Sequence, residues 1–175
     1  MSARAELRDF ELALVTLTGG ALALAVALGT ERFAGLVPCA LCLVERWPYR
    51  IVALLGLVAM FLRPRWSRPV LWLAAAAFAV AAGLGALHVG VEFGWWPSPL
   101  PECAAPRLAG GGAARLLASM PARPSKPCDD PTFLVPGLPV SMAAFGALYA
   151  LVFAAGLAIS LWWKRERGPW TSRWT

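Results

Sequence analysis

Long apolar stretches with almost no charge constrain this chain more than any other feature. Segments 12–30 and 131–163 contain no charged residue, and segment 70–91 contains no ionisable residue apart from His88. Each is long enough to form the helix of roughly 20 residues that crosses a bilayer. Hydrophobic residues make up 59% of the 175 positions and charged residues only 15%, which is unlike an ordinary water-soluble domain. The sequence therefore predicts an all-α membrane protein.

A fourth apolar segment, at about 43–62, completes a predicted bundle of four transmembrane helices, although Glu45, Arg46 and Arg50 lie near its start. The first apolar stretch is expected to remain as a helix, because no small-residue cleavage site follows it. We predict a single membrane domain over 1–175. Its helices are expected at about 12–30, 43–62, 70–91 and 138–163, with outer loops at about 31–42 and 92–131.

The distribution of positive charge predicts the orientation of this bundle. Connector 63–68 holds three arginines and no acid, and the tail after residue 163 holds four basic residues against one acid. With four crossings both segments lie on one side, which is predicted to be the cytoplasmic side, with both termini inside. The net charge of +6 follows largely from this bias and gives no indication of a nucleic-acid partner.

All four cysteines fall in the two outer loops, on the side where disulfides form and persist. They are Cys39, Cys42, Cys103 and Cys128. The C-x-x-C spacing of the first pair lets two sulfurs bond or separate with little backbone motion. Such a pair at the edge of a membrane suggests that electrons move between soluble protein thiols and a species dissolved in the lipid.

Arg46 is the candidate for a cation beside the first pair. If the residues after Cys39 are helical, Cys39, Cys42 and Arg46 lie at i, i+3 and i+7, on one face. A nearby cation and a helix N-terminus favour thiolate over thiol at Cys42, and the thiolate is the reactive species. Arg50 continues the stripe. For both arginines, snorkelling to headgroups or pairing with Glu45 stays open as an alternative.

The string PCALCLVER, from Pro38 to Arg46, resembles the signature of the DsbB family, disulfide bond formation protein B. Cys103, four residues after the Pro97-Ser98-Pro99 string, resembles the family's second-loop pattern. The resemblance implies a protein-dithiol:quinone oxidoreductase of the bacterial inner membrane, with its cysteines in the periplasm. It would reoxidise a thioredoxin-fold partner similar to DsbA and pass two electrons to membrane quinone, either ubiquinone or menaquinone, sustaining protein disulfide formation.

The resemblance also implies roles for the cysteines. Cys103 would form the mixed disulfide with the partner, and Cys128 would then act as the resolving thiol by attacking Cys39. Cys42 would meet the quinone as a thiolate, with Arg46 stabilising negative charge on the ring oxygens.

A histidine often lies near the quinone in this family, and His88 is the candidate for it. A hydrogen bond from His88 to a lipid headgroup stays open as the alternative. Glu92, one turn later, would either orient His88 or face water.

Other functions compete with this reading. Cys103 and Cys128 could form a structural disulfide, whose loop of about 26 residues would contribute roughly 3–4 kcal/mol. No metal is predicted, because a four-thiolate zinc site usually presents two tight pairs. An enzyme similar to vitamin K epoxide reductase would carry its active C-x-x-C on the last core helix. A non-enzymatic four-helix membrane protein with structural disulfides would bind no quinone.

Overall fold

The structure of the chain is a computed structural model that describes residues 3–103, 126–133, 137 and 139–166. Four long helices make up most of it. They are α1 (Ala3–Phe33), α2 (Ala40–Phe61), α3 (Pro64–Glu92) and α4 (Met142–Glu166). A short 3-10 helix covers Pro101–Cys103. The described residues form isolated β-bridges but no strand, so the all-α prediction is confirmed.

Capping residues explain why two helices begin away from their predicted bounds. α2 begins before residue 43, because the Cys39 sulfur accepts a hydrogen bond from the Cys42 amide at 3.1 Å. α4 begins after residue 138, because Ser141 Oγ accepts from the Ala144 amide at 3.2 Å. The residue before Pro139 is also disfavoured in a helix. Pro48 lies buried inside α2.

Three of the helices in the described part of the chain are long and apolar enough to cross a membrane. These segments are Leu7–Phe33, Pro64–Glu92 and Met142–Trp163. α2 has 22 residues but carries Glu45, Arg46 and Arg50 in its first half. Large apolar side chains cover the outside of the bundle, and Leu54 and Leu148 are each 60% exposed, as lipid-facing residues would be. The chain is thus a helical membrane protein.

Small residues bring the helices close together. A Cβ atom on Gly56 of α2 would lie 2.5 Å from the backbone nitrogen of Leu17 in α1. A Cβ atom on Gly85 of α3 would lie 2.9 Å from the Cβ of Ala147 in α4. Such close approach is typical of helix packing in membranes, where small residues let backbones meet. α3 packs mainly on α4, and α2 lies between α1 and α3.

Two tyrosine hydroxyls form hydrogen bonds between helices in the middle of the bundle. The Tyr49 hydroxyl donates to the Gly146 carbonyl at 3.0 Å, which links α2 to α4. The Tyr149 hydroxyl donates to the Gly19 carbonyl at 2.8 Å, which links α4 to α1. Both rings pack in an apolar core with Phe78. These cross-links hold the helices in register below the end of the bundle that carries the cysteines.

Candidate redox site

One end of the bundle gathers the C-terminal ends of α1 and α3 with the N-terminal ends of α2 and α4. Cys39 caps α2 at this end, Cys42 lies in its first turn, and His88 lies in the last turns of α3. Lys126 comes from the second loop and forms an isolated parallel bridge with Cys39. Segments far apart in sequence therefore meet at the first cysteine pair.

The first pair consists of two free thiols in contact with a histidine. The Cys39 and Cys42 sulfurs are 2.7 Å apart, and the Cys39 sulfur is 3.5 Å from Nε2 of His88. Cys39 and His88 are only 4% and 3% exposed, whereas Cys42 is half-buried. His88 therefore faces the thiols rather than the lipid headgroups.

The two thiols of the reduced pair have opposite pKa shifts. The hydrogen bond that the Cys39 sulfur shares with the Cys42 thiol lowers the pKa of Cys39 despite its burial, and the bond that it accepts from the Cys42 amide lowers it further. The same shared bond raises the pKa of Cys42, and burial and the charge on Cys39 raise it further. Of the two thiols of the reduced pair, Cys39 therefore loses its proton more readily than Cys42. The expectation of a thiolate at Cys42 does not describe this reduced state.

Each of the two charged residues that follow the pair has a partner on a different helix. Glu45 Oε1 lies 2.8 Å from His88 Nδ1, so α2 and α3 are joined beside the thiols. Arg46 Nη2 donates to a carboxylate oxygen of Glu31 at the end of α1. Arg46 is only 8% exposed, and its Nε has no hydrogen-bond partner among the described residues. A buried donor without an acceptor is costly, so the Nε–H of Arg46 is available to hydrogen-bond a group bound beside it.

A cavity of about 350 Å³ lies against this group. Cys39, Cys42, Arg46 and His88 all line it, and most of the remaining lining is apolar. The volume and the mixture of apolar walls with a few polar groups are typical of small-molecule sites. The structure thus brings four of the six predicted site residues to one cavity.

The second cysteine pair lies next to the first. Cys103 and Cys128 are joined by a disulfide, and the Cys128 amide donates to the Cys103 carbonyl at 3.4 Å. Both are buried in an apolar cluster that includes Cys39, with Cys42 packed against it. Residues 104–125 of the predicted second loop lie outside the described residues. All four cysteines are therefore neighbours at one end of the bundle.

Arg50 and Glu92 have different surroundings from those considered in the sequence. The exposed Arg50 guanidinium lies 5.1 Å from the centre of the Trp47 ring and away from the cavity. Glu92 lines the cavity but accepts a hydrogen bond from Ser141 at the start of α4. Glu92 does not orient His88, because Glu45 does.

Sequence reasoning missed Glu31 and Glu45 as members of the site. Glu45 follows Cys42 by three residues, so helical spacing already puts it near the face that carries the thiols. Glu31 ends the first apolar segment, and an acid at such an end is the only signal that marks it. The rotation of each helix about its axis decides which partner each carboxylate meets, and no local pattern gives that rotation.

Two thiols and a histidine at the end of an apolar helix bundle define a membrane protein of thiol–disulfide chemistry. A family model described as DsbB, disulfide bond formation protein DsbB, matches residues 9–162. The chain belongs to the DsbB family, as the resemblance of its cysteine motif predicted. Searches of curated proteins and of solved structures gave no significant match. Family membership makes the chain a membrane thiol oxidoreductase of disulfide bond formation.

Proposed function

We propose that this protein oxidises a soluble thioredoxin-fold protein similar to DsbA and passes the electrons to membrane quinone. In the balanced reaction, the partner dithiol becomes a disulfide, and the quinone gains two electrons and two protons. The observation that carries the proposal is the cavity, because the thiols of Cys39 and Cys42 share its walls with the buried Arg46. A thiol that lines an apolar cavity can exchange electrons with a ligand that dissolves in lipid.

The residues around the cavity fit a quinone head group. A bound quinone supplies a two-electron acceptor that stays within the bilayer. The free Nε–H of Arg46 gives a ring oxygen a charged donor, while Glu31 holds the other end of the guanidinium. The apolar wall, which includes Leu22 and Phe145, would contact the ring and its lipid tail. Ubiquinone and menaquinone both have ring oxygens and a lipid tail, so these residues fit either quinone.

The cysteine arrangement supports a relay in two exchanges. The partner thiolate would attack Cys103 and release Cys128, which would then attack Cys39 of a Cys39–Cys42 disulfide. The partner's second thiol would free Cys103 afterwards. The bridge between Lys126 and Cys39 holds the Cys128 segment beside Cys39. When Cys39 bonds to Cys128, Cys42 is released and no longer shares a hydrogen bond with Cys39. The helix N-terminus then favours a thiolate at Cys42, next to the cavity.

His88 would handle the protons of this exchange. Its Nε2 lies 3.5 Å from the Cys39 sulfur, and its Nδ1 lies 2.8 Å from the Glu45 carboxylate. The carboxylate fixes the ring and stabilises its charged form, as in other histidines that act as general bases. His88 is therefore proposed to take the proton of Cys39 whenever the exchange leaves Cys39 as a free thiol, so that Cys39 reacts as a thiolate.

We also propose that α2 crosses the membrane, which gives four spans with both termini in the cytoplasm and the cysteines in the periplasm. The paired charges of α2 support this, because Glu45 meets His88 and Arg46 meets Glu31 inside the bundle. The exposed Arg50 lies in the half of α2 that carries these pairs, and its long side chain can extend toward the headgroups at that end. The location proposed is the bacterial inner membrane.

The test is a quinone-reduction assay with the purified protein in detergent, a reduced thioredoxin-fold substrate, and ubiquinone or menaquinone. Quinone absorbance and partner thiols should disappear in equal two-electron steps. Cys42→Ser should abolish quinone reduction, while Ser160→Ala, an exposed change in α4, should leave it intact. Full activity in Cys42→Ser would refute the assignment, and no turnover by the unaltered protein would favour a non-enzymatic membrane protein.

A further inference from the structure

We infer that the reduced protein binds a thiophilic divalent cation such as Zn²⁺ through Cys39, Cys42 and His88. The inference concerns a binding site rather than turnover, so it does not depend on quinone being the electron acceptor. The two sulfurs and Nε2 of His88 all lie within 4.8 Å of one another. Two thiolates and an imidazole are the ligand types that zinc takes most readily.

One of the distances between the three ligand atoms already fits a tetrahedral ion, and another needs a small side-chain movement. Bonds of about 2.3 Å to sulfur and about 2.0 Å to nitrogen hold neighbouring ligands roughly 3.4–3.8 Å apart. The Cys39 sulfur and His88 Nε2 are already 3.5 Å apart. The two sulfurs are 2.7 Å apart, so the ion needs the half-buried Cys42 side chain to turn outward by about 1 Å.

Glu45 supplies an independent observation that points to a metal ligand. Histidines that bind metals usually donate their second ring nitrogen to a carboxylate, which fixes the tautomer and the ring orientation. His88 Nδ1 lies 2.8 Å from Glu45 Oε1 in this way. With its proton on Nδ1, the ring presents the Nε2 lone pair to the two sulfurs.

Access and charge also suit a cation. All three ligands line the cavity, so a water molecule from it can take the fourth position. Glu45, Glu92 and Asp130 also line the cavity, as do the cations Arg46 and Lys126. Both cations are paired with acids, Arg46 with Glu31 and Lys126 with Asp130. An ion at the thiols therefore meets little uncompensated positive charge.

Binding at this site depends on the redox state of the first pair. A Cys39–Cys42 disulfide has no thiolate to offer, so only the dithiol form can hold the ion. The bound ion would release the thiol protons and occupy both nucleophiles. Zn²⁺ would thus hold the pair reduced and block thiol exchange until it dissociates.

The experiment uses the full chain in detergent with Cys103→Ser and Cys128→Ser, so that only the first pair supplies thiols. The reduced protein, freed of reductant under anaerobic conditions, is titrated with Zn²⁺ against a metal-binding dye. Cd²⁺ is added separately, because its ultraviolet charge-transfer band reports thiolate ligands. A single Zn²⁺ should bind each reduced chain, and oxidation of the pair should abolish binding. Equal binding by the oxidised protein would overturn the inference.

Two variants separate this site from adventitious binding by the thiols alone. Glu45→Gln should weaken Zn²⁺ affinity by about 10–100-fold through the loss of the second-shell carboxylate. His88→Ala should weaken it by at least as much, with helicity checked by circular dichroism. The matched control is Asp129→Asn, an exposed carboxylate outside both the cavity lining and the ligand group, which should leave affinity unchanged. Unchanged affinity in both site variants would overturn the inference, and quinone turnover would remain a separate measurement.

Discussion

The two cysteine pairs lie side by side but are held by different kinds of structure. Cys39 and Cys42 belong to the first turn of a long helix and contact a histidine from another helix. Cys103 and Cys128 are joined to each other outside the long helices, on a 3-10 turn and a segment held by one bridge. The difference teaches that packed helices position the first pair, whereas loop segments linked by a disulfide position the second.

Burial sharpens the contrast. Cys103 and Cys128 are only 4% and 1% exposed, although a partner thiolate must reach one of these sulfurs in line with the disulfide. Under the proposed relay, the segment that carries Cys103 has to move outward before it meets the partner. The first pair needs no such movement, because the cavity already reaches both of its thiols.

The largest predicted difference between the two cysteine pairs is which of them bonds to the partner, and a trapping experiment tests it. A reduced thioredoxin-fold substrate that keeps only its attacking cysteine should break the Cys103–Cys128 disulfide at Cys103 and release Cys128 as a thiol. The mixed disulfide through Cys103 should then accumulate, because the substrate has no second thiol to free it. Non-reducing electrophoresis and mass spectrometry of the linked peptides would measure it. Cys103→Ser is the matched control and should trap nothing at that position. An adduct at Cys39 instead would reverse the proposed order of the two pairs.

A smaller effect, on the Michaelis constant for quinone, is expected from replacing Arg46, which lies beside the first pair only. Arg46→Gln removes a charged donor worth about 1.5–3 kcal/mol, so the Michaelis constant for quinone should rise by about 10–100-fold. The constant for the protein thiol should change little. Steady-state kinetics with each substrate varied in turn would measure both.

Arg50→Gln is the control for the Arg46 variant, because it removes the same charge from the same helix away from the cavity. It should leave both constants unchanged. If Arg46→Gln altered only the thiol constant, the cavity would not be the quinone site.

The smallest predicted effect is a shift in the pH dependence of Cys39. The pKa of Cys39 is lowered mainly by the hydrogen bond from the Cys42 thiol, so its thiolate should appear at lower pH than for an ordinary cysteine. Cys42→Ser keeps a donor to Cys39, and Cys42→Ala removes it. The alkylation midpoint of Cys39, measured with a small reagent, should therefore lie at higher pH in Cys42→Ala. Equal midpoints would show that the hydrogen bond does not set this pKa.

The fold followed from the sequence more directly than the site did. Uncharged runs such as 70–91 predict helices because length and apolar content alone decide whether a segment suits a bilayer. Helix ends were less predictable, because they depend on local caps. A cysteine is an unusual N-cap, and nothing in the spacing of Cys39 and Cys42 shows that a sulfur accepts the amide proton.

Helical periodicity predicted the part of the candidate site that lies on a single helix. The i+7 spacing placed Arg46 on the face of Cys39, and both line the cavity. Its partner Glu31 lies on another helix, so the pairing depends on how the helices pack. The pKa order of the thiols also escaped sequence reasoning, because it depends on the hydrogen bond that the Cys39 sulfur accepts from the Cys42 amide at the helix cap.

The cap of α2 links reactivity to backbone order. The Cys39 sulfur that accepts the Cys42 amide proton is also the atom proposed to receive the attack of Cys128. A sulfur engaged in a new covalent bond is turned toward its new neighbour and is less able to accept that amide proton. The first turn of α2 would then lose and regain this cap in each catalytic cycle. The backbone order at the membrane edge would thus depend on the redox state of Cys39.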